Sequence, residues 1–197
     1  MDDILLESSD KHMLHETKEF LSSNFDMKDL DEASYVLGIE IHRDRTKGVL
    51  GSSQKAYIKR MLKRFNMDKS KITPVPLAKG DKFSEAQCPK NQLEFDEMKG
   101  IPYASAVGSL MYAQVYTHPD LAFSTGIFGR YQKNPRKVHW VGVKKVLCYC
   151  QGTKDVMLTY RRSDNLEIVG YTNADFAGYV DSRKSTSGYH GKDLSKV

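Results

Sequence analysis

Three prolines, Pro102, Pro119 and Pro135, each stand at the head of an apolar repeat, and they constrain the fold more than any other feature of the chain. A proline has no N–H to donate and a fixed φ, so it suits the first turn of a helix and breaks the interior of one. Residues 101–152 are therefore expected as three closely spaced helices. The first, opened by Pro102, is rich in Ala, Ser and Gly and suited to close packing. In the second, Thr117-His118-Pro119-Asp120 has the form of an N-cap followed by proline in the first turn. Asn134-Pro135 repeats that device for the third, where Trp140, Val143, Leu147 and Cys150 share a face at helical spacing. Trp140 is expected as a core anchor rather than a platform for stacking bases.

On either side of this block the pattern changes. Residues 11–23 read as a helix with Met13, Leu14, Thr17, Phe20 and Leu21 on one face. Residues 35–43 and 49–52 are strand-like and joined by a turn around Thr46-Lys47-Gly48. A second helix, 54–65, places Tyr57, Ile58, Met61, Leu62 and Phe65 on one face and Lys55, Lys59, Arg60, Lys63 and Arg64 on the other. Unpaired lysines four residues apart repel one another. Along a phosphate backbone the same stripe is favourable, because each neutralised phosphate releases counterions. A solvated basic face is the plainer alternative. Residues 70–100 hold Pro74, Pro76, Gly80 and Pro89 and read as a linker or long surface loop. Beyond Gly152, residues 157–162 and 167–174 read as adjacent strands of a hairpin turning near Ser163-Asp164-Asn165, and 181–189 as a polar loop entering another strand.

A chain of 197 residues suits one large domain or two small ones, and 40% hydrophobic with 28% charged residues supports a real core. No apolar run approaches a membrane span. The N-terminus is acidic where a signal peptide would be basic and then apolar, so an intracellular protein of cytoplasm or nucleus is expected, neither secreted nor membrane-bound. Cys88, Cys148 and Cys150 lack metal-ligand spacing and read as free thiols. The net charge of +5 hides an asymmetry: residues 1–50 hold 12 acids against 6 Lys/Arg, and residues 51–150 hold 17 Lys/Arg against 7 acids. An acidic head and basic body suit a protein that holds metal ions at one point and a polyanion along the rest. Mixed charge that merely maintains solubility is the competing account.

The acidic head begins with Asp2-Asp3 before Ile4-Leu5-Leu6. Neighbouring side chains of a strand face opposite ways, so the two carboxylates would share a metal only at a turn or hairpin tip. Paired divalent ions held by clustered carboxylates serve phosphoryl-transfer chemistry. A frayed, solubilising terminus is the alternative for a lone Asp-Asp.

The order of several pieces then carries a resemblance. They are Asp2-Asp3-Ile4-Leu5-Leu6, Met27-Lys28-Asp29-Leu30, Tyr35-Val36-Leu37-Gly38-Ile39-Glu40-Ile41, Gln54-Lys55-Ala56-Tyr57-Ile58, Pro102 through Tyr112, His118-Pro119-Asp120-Leu121-Ala122, His139-Trp140, Tyr171 through Gly178, and Ser182 through Tyr189. Together they resemble the C-terminal part of the reverse transcriptase, plus the start of the ribonuclease H domain, of a copia-type retrotransposon Pol polyprotein. The resemblance covers essentially the whole chain.

It implies an α+β fold: a partial palm edge and thumb-like helix over 1–72, a linker and helical connection over 73–156, and an incomplete ribonuclease H-like sheet over 157–197. Asp2 and Asp3 match the aspartates of the polymerase box and would bind Mg²⁺. The aromatic residue of that box and the third metal-binding aspartate have no counterpart here. Lys55, Lys59, Lys63 and Arg64 would track a template–primer duplex of RNA or DNA. Asn173 stands where the ribonuclease pattern has its first aspartate, and an amide binds magnesium more weakly. Asp175 matches the second aspartate of that pattern, a doubtful ligand. Asp31 stands where the family usually has glycine, a costly substitution if the position needs positive φ. The expected function is a reverse transcriptase/ribonuclease H fragment inactive by itself, with an upstream polymerase segment as a candidate partner. The alternatives are a non-catalytic nucleic-acid-binding remnant and a degenerate fragment without a selected role.

Overall fold

Two sheets and a helical core make up the computed structural model, which describes residues 4–78, 80–162, 170–174, 181, 183, 187–191 and 195–196. Helix α1 (Lys11–Asn24) comes first, with the Asp10 carboxylate accepting from the His12 and Met13 N–H groups at its N-terminus. Strands β1 (Tyr35–Val36), β2 (Ile39–Asp44) and β3 (Val49–Ser53) then lead directly into α2 (Lys55–Arg64). After α3 (Gln92–Asp96) come α4 (Tyr103–Tyr116), α5 (Ala122–Arg130) and α6 (Lys137–Thr153). Strands β4 (Leu158–Arg161), β5 (Gly170–Ala174), β6 (Ser187–Gly191) and β7 (Ser195–Lys196) close the chain. The fold is α+β, as expected.

The core lies between α2, α4, α5 and α6. Ile58, Met61 and Leu62 from α2 meet Val107 and Leu110 from α4, Phe128 from α5, and Val143, Val146 and Leu147 from α6, all buried. The apolar repeat read for α2 is thus the face it buries. Trp140 packs against the same cluster, with Lys144 Nζ 5.6 Å from its ring centroid. By contrast, the apolar stripe of α1 is only partly covered: Leu14, Thr17 and Leu21 are half-buried, while Met13 is 57% and Phe20 62% exposed.

The described strands depart from expectation in two places. The run 35–43 is broken, because Leu37 and Gly38 both take positive φ (50° and 78°) and form the tight turn joining β1 to β2. A leucine hides that turn in the sequence. The expected hairpin between 157–162 and 167–174 does not form either. Strand β4 pairs antiparallel with β3, Leu50 opposite Tyr160 and Ser52 opposite Leu158, while β5 pairs with β6. Packing of α6 on α2 carries the chain back beside the strand that leads into α2. The larger sheet runs β1-β2-β3-β4-β7, so the first strand after α6 extends the sheet begun by the N-terminal hairpin.

The helix starts differ as well. Thr117 is the C-cap of α4, and Pro119 opens a single 3-10 turn, Pro119–Leu121, ahead of α5. The third helix begins at Lys137, with Arg136 at the cap and its N–H donated to His139 Nδ1 at 3.0 Å. The stretch read as a linker is pinned to the core: Phe83 meets Phe128 edge-on at 4.9 Å, Arg136 pairs with Glu94, and Lys145 pairs with Asp81. Asp31 does take positive φ (61°), its N–H donated to Asp29 Oδ1 at 3.0 Å. No helix among the described residues is long and apolar enough to cross a membrane.

Candidate nucleic-acid interface

Helix α2 carries Lys55, Lys59, Arg60, Lys63 and Arg64 on its exposed side. Burial of Ile58, Met61 and Leu62 fixes the rotation of the helix, so the cations are held outward as a consequence of the core. They are not equivalent. Lys55 Nζ lies 2.8 Å from Asp155 Oδ1, and this contact raises the lysine pKa and lowers that of the carboxylate. Arg64 sits 5.5 Å from the Phe65 ring centroid, which restrains its guanidinium. Lys59, Arg60 and Lys63 have no ion pair among the described residues, and Lys59 and Lys63 lie one turn apart on the line that begins at Lys55.

The start of α2 is anchored from beneath. Gln54, 1% exposed, accepts a hydrogen bond at its Oε1 from Thr117 Oγ1 at 2.7 Å, and His118 Nδ1 is 2.8 Å from the same hydroxyl. One hydroxyl has one proton. With that proton given to Gln54, His118 Nδ1 must be the donor to Thr117 Oγ1, which fixes its tautomer. This buried chain ties the strand-to-helix corner to the end of α4.

Beside it, the β1–β2 turn meets α4. The Tyr112 hydroxyl donates to the Leu37 carbonyl, and the rings of Tyr57, Tyr112 and Tyr116 form a tilted row with centroids 4.7 and 4.9 Å apart. Tyr57 donates to the Ser109 carbonyl at 3.0 Å, and burial pushes its pKa up. Hydrogen bonds and ring contacts thus join the turn, the tyrosine row and α2.

No group of three or more His, Cys, Asp or Glu among the described residues could hold a metal ion. Asp2, Asp3 and Asp175 lie outside the described residues. Asn173 is in β5, opposite Gly188 of β6. The described residues do not form a magnesium site.

Sequence reasoning missed His139. It is fully buried, stacked on Tyr131 at 4.1 Å and 15°, and burial lowers its pKa. Its spacing of three from the capping Arg136 was the available signal. Asp181 was also missed: its Oδ2 accepts from the Glu85 N–H at 2.9 Å and lies 3.4 Å from the Tyr131 hydroxyl.

Comparison with known proteins follows the same line. Residues 1–79 match the reverse transcriptase (RNA-dependent DNA polymerase) family. The chain is 46% identical, over 96% of its length, to the retrovirus-related Pol polyprotein from transposon TNT 1-94 of Nicotiana tabacum, and 34% identical over the same share to that from transposon RE1 of Arabidopsis thaliana. It spans only 14% and 12% of those two polyproteins. An uncharacterized mitochondrial protein of Arabidopsis thaliana, AtMg00810, is 31% identical over 96% of the chain and 75% of its own length. No solved structure matches.

Proposed function

Because the chain belongs to the reverse transcriptase family of retrovirus-related Pol polyproteins, we propose that it holds a template–primer duplex through α2 and carries out neither polymerisation nor ribonuclease H cleavage by itself. The observation that carries this reading is the rotation of α2: its apolar face is consumed by the core, leaving Lys59 and Lys63 exposed and unpaired among the described residues. Each lysine that meets a phosphate displaces condensed counterions, so binding gains free energy without base readout. The anchored corner at Gln54 and Thr117 keeps the stripe in place relative to the β1–β2 turn.

The catalytic half of the proposal rests on the carboxylates. By family resemblance Asp2 and Asp3 supply two magnesium ligands, where two-metal chemistry needs a third, and Asn173 offers a neutral oxygen in place of a charged one. An upstream polymerase segment is the partner that would complete the set.

Fluorescence anisotropy with a labelled primer–template duplex tests the binding. Affinity should fall steeply with salt, and Lys59→Ala/Lys63→Ala should weaken binding about tenfold near 50 mM salt and reduce the slope of log K against log salt by about 2. Salt-independent affinity, or none lost in the double variant, would refute it. Primer extension by the purified chain with Mg²⁺, abolished by Asp2→Asn/Asp3→Asn, would refute the claim of inactivity.

A further inference from the structure

At the opposite end of the sheet from α2, three strands bring Arg43, Leu50 and Tyr160 into one row. Arg43 pairs with Leu50 across β2 and β3, and Leu50 with Tyr160 across β3 and β4, so all three side chains share a face. Leu50 is 36% and Tyr160 44% exposed. With Arg45, Arg161 and Arg162 they line a shallow depression of about 390 Å³. The sheet builds the site from positions more than 100 residues apart in sequence, which is why no local motif announces it.

The charge balance at this depression is uneven. Arg43 and Arg45 share one carboxylate, Glu32. Asp44, the other acid at the rim, already accepts from Thr46 and pairs with Lys47 at 3.3 Å. Arg161 and Arg162 have no ion pair among the described residues. Arg162 is held in place through its backbone, its N–H donated to the Gly48 carbonyl at 2.7 Å. Arg161, next to Tyr160 in β4 and opposite Val49, belongs to the other face of the sheet. Three guanidinium groups, of Arg43, Arg45 and Arg162, thus flank an exposed aromatic ring and are offset by a single shared acid. Guanidinium forks match phosphate oxygens, and a tyrosine beside a leucine offers an apolar platform for an unpaired base.

We propose that this depression binds a single-stranded segment of nucleic acid, its phosphates held by Arg43 and Arg162 and a base stacked on Tyr160. A duplex keeps its bases stacked on one another, so a lone exposed ring favours the single strand. The site is separate from α2: β3 spans five residues between them, roughly 13 Å at the usual rise per strand residue. The two surfaces can therefore fail independently.

Anisotropy with a labelled single-stranded oligonucleotide and with a blunt duplex separates them. For the single strand, Arg43→Ala/Arg162→Ala is expected to weaken binding about tenfold near 50 mM salt and lower the salt slope by about 1.4, the single-strand value for two phosphates. Tyr160→Ala should weaken it about tenfold with little change in slope, whereas blunt-duplex affinity should stay within about twofold in both variants. Tyr160 should also crosslink to an oligonucleotide carrying 5-iodouracil on irradiation. Lys59→Ala/Lys63→Ala reports on the duplex surface alone, so loss there without loss of single-strand binding leaves this proposal standing. Circular dichroism melts check folding, and should the double variant unfold, Arg162→Gln alone replaces it. Unchanged single-strand affinity in the folded groove variants, absence of the crosslink, or an equal loss of duplex binding overturns the proposal.

Discussion

Lys55 Nζ rests 2.8 Å from Asp155 Oδ1, joining the first turn of α2 to the loop that follows α6. The carboxylate occupies the one cation of the basic stripe that stands nearest the strand-to-helix corner. An exposed pair of this kind adds little to stability. Its consequence lies in binding, because a phosphate must displace Asp155 before it can reach Lys55. Asp155→Asn keeps the side-chain volume and removes the competing charge. Duplex affinity should rise about threefold at low salt, the salt slope should steepen by about 1, and the thermal midpoint should hardly move. Unchanged affinity in anisotropy titrations would show that Lys55 takes no part in holding phosphate.

Gly142 in α6 is fixed by its neighbours. A Cβ built there would lie 2.5 Å from Phe128 Cζ and 2.7 Å from Phe83 Cζ, distances that packed carbon atoms do not tolerate. A glycine inside a helix ordinarily costs about 1 kcal/mol relative to alanine, so Gly→Ala is normally stabilising. Here overpacking should dominate, and Gly142→Ala should destabilise the fold by about 1–3 kcal/mol. Gly108 in α4 has nothing within 4 Å of the same position. Gly108→Ala should therefore stabilise by roughly 0.5–1 kcal/mol. Opposite signs in urea unfolding are expected, and matching signs would contradict the packing described.

What the sequence disclosed and what it concealed divide along range of interaction. Helix α2 was legible to within a residue at each end, because its repeat of apolar side chains is local and the core uses all of it. The positive φ of Asp31 was signalled conditionally, by the glycine that the resembled family has there, and the contact from Asp29 two residues away supports it in the fold. The pairing of β4 with β3 was not, since two short strands separated by five α-helices leave no local trace of their register. Nor was the docking of 73–100, where Phe83 and Glu94 look like ordinary loop residues until Phe128 and Arg136 arrive from other helices. The basic face of α2 could be read, but the capture of Lys55 by Asp155 could not, because it needs the return of α6. The arginine depression was hidden for the same reason.

Leu37 occupies a conformation that suits asparagine or glycine. Its φ of 50° is left-handed, which costs a non-glycine residue about 1–2 kcal/mol, and its side chain is 71% exposed, so little burial offsets that cost. Its carbonyl accepts from Tyr112, a backbone contact that survives substitution. Leu37→Asn creates the Asn-Gly pair favoured in such turns and should raise stability by about 1 kcal/mol, a gain of roughly 2–4 °C in Tm. Should stability fall instead, the leucine side chain must make a contact in solution that outweighs the backbone strain.

The buried imidazole of His139 gives the fold an acid sensitivity that can be assigned to one residue. Burial between Tyr131 and Phe83 depresses its pKa, the Arg136 guanidinium adds to the effect, and the Ser84 backbone and Asp181 oppose it only in part. In the unfolded chain the group titrates near its ordinary value of 6.5. Below that value the unfolded state binds more protons than the folded state, so the slope of unfolding free energy against pH is positive there. The contribution is complete above 6.5 and is lost progressively as pH falls beneath it. Protonation also withdraws the Nδ1 lone pair that accepts the Arg136 N–H, so the start of α6 should loosen with it. His139→Phe keeps a ring against Tyr131 and cannot titrate. Between about pH 7.5 and pH 5.5 the Tm of the parent chain should drop more than that of the variant, even though the variant starts lower for want of the cap. Parallel pH profiles would place the acid sensitivity elsewhere, with the buried His118 beside Thr117 the next residue to substitute.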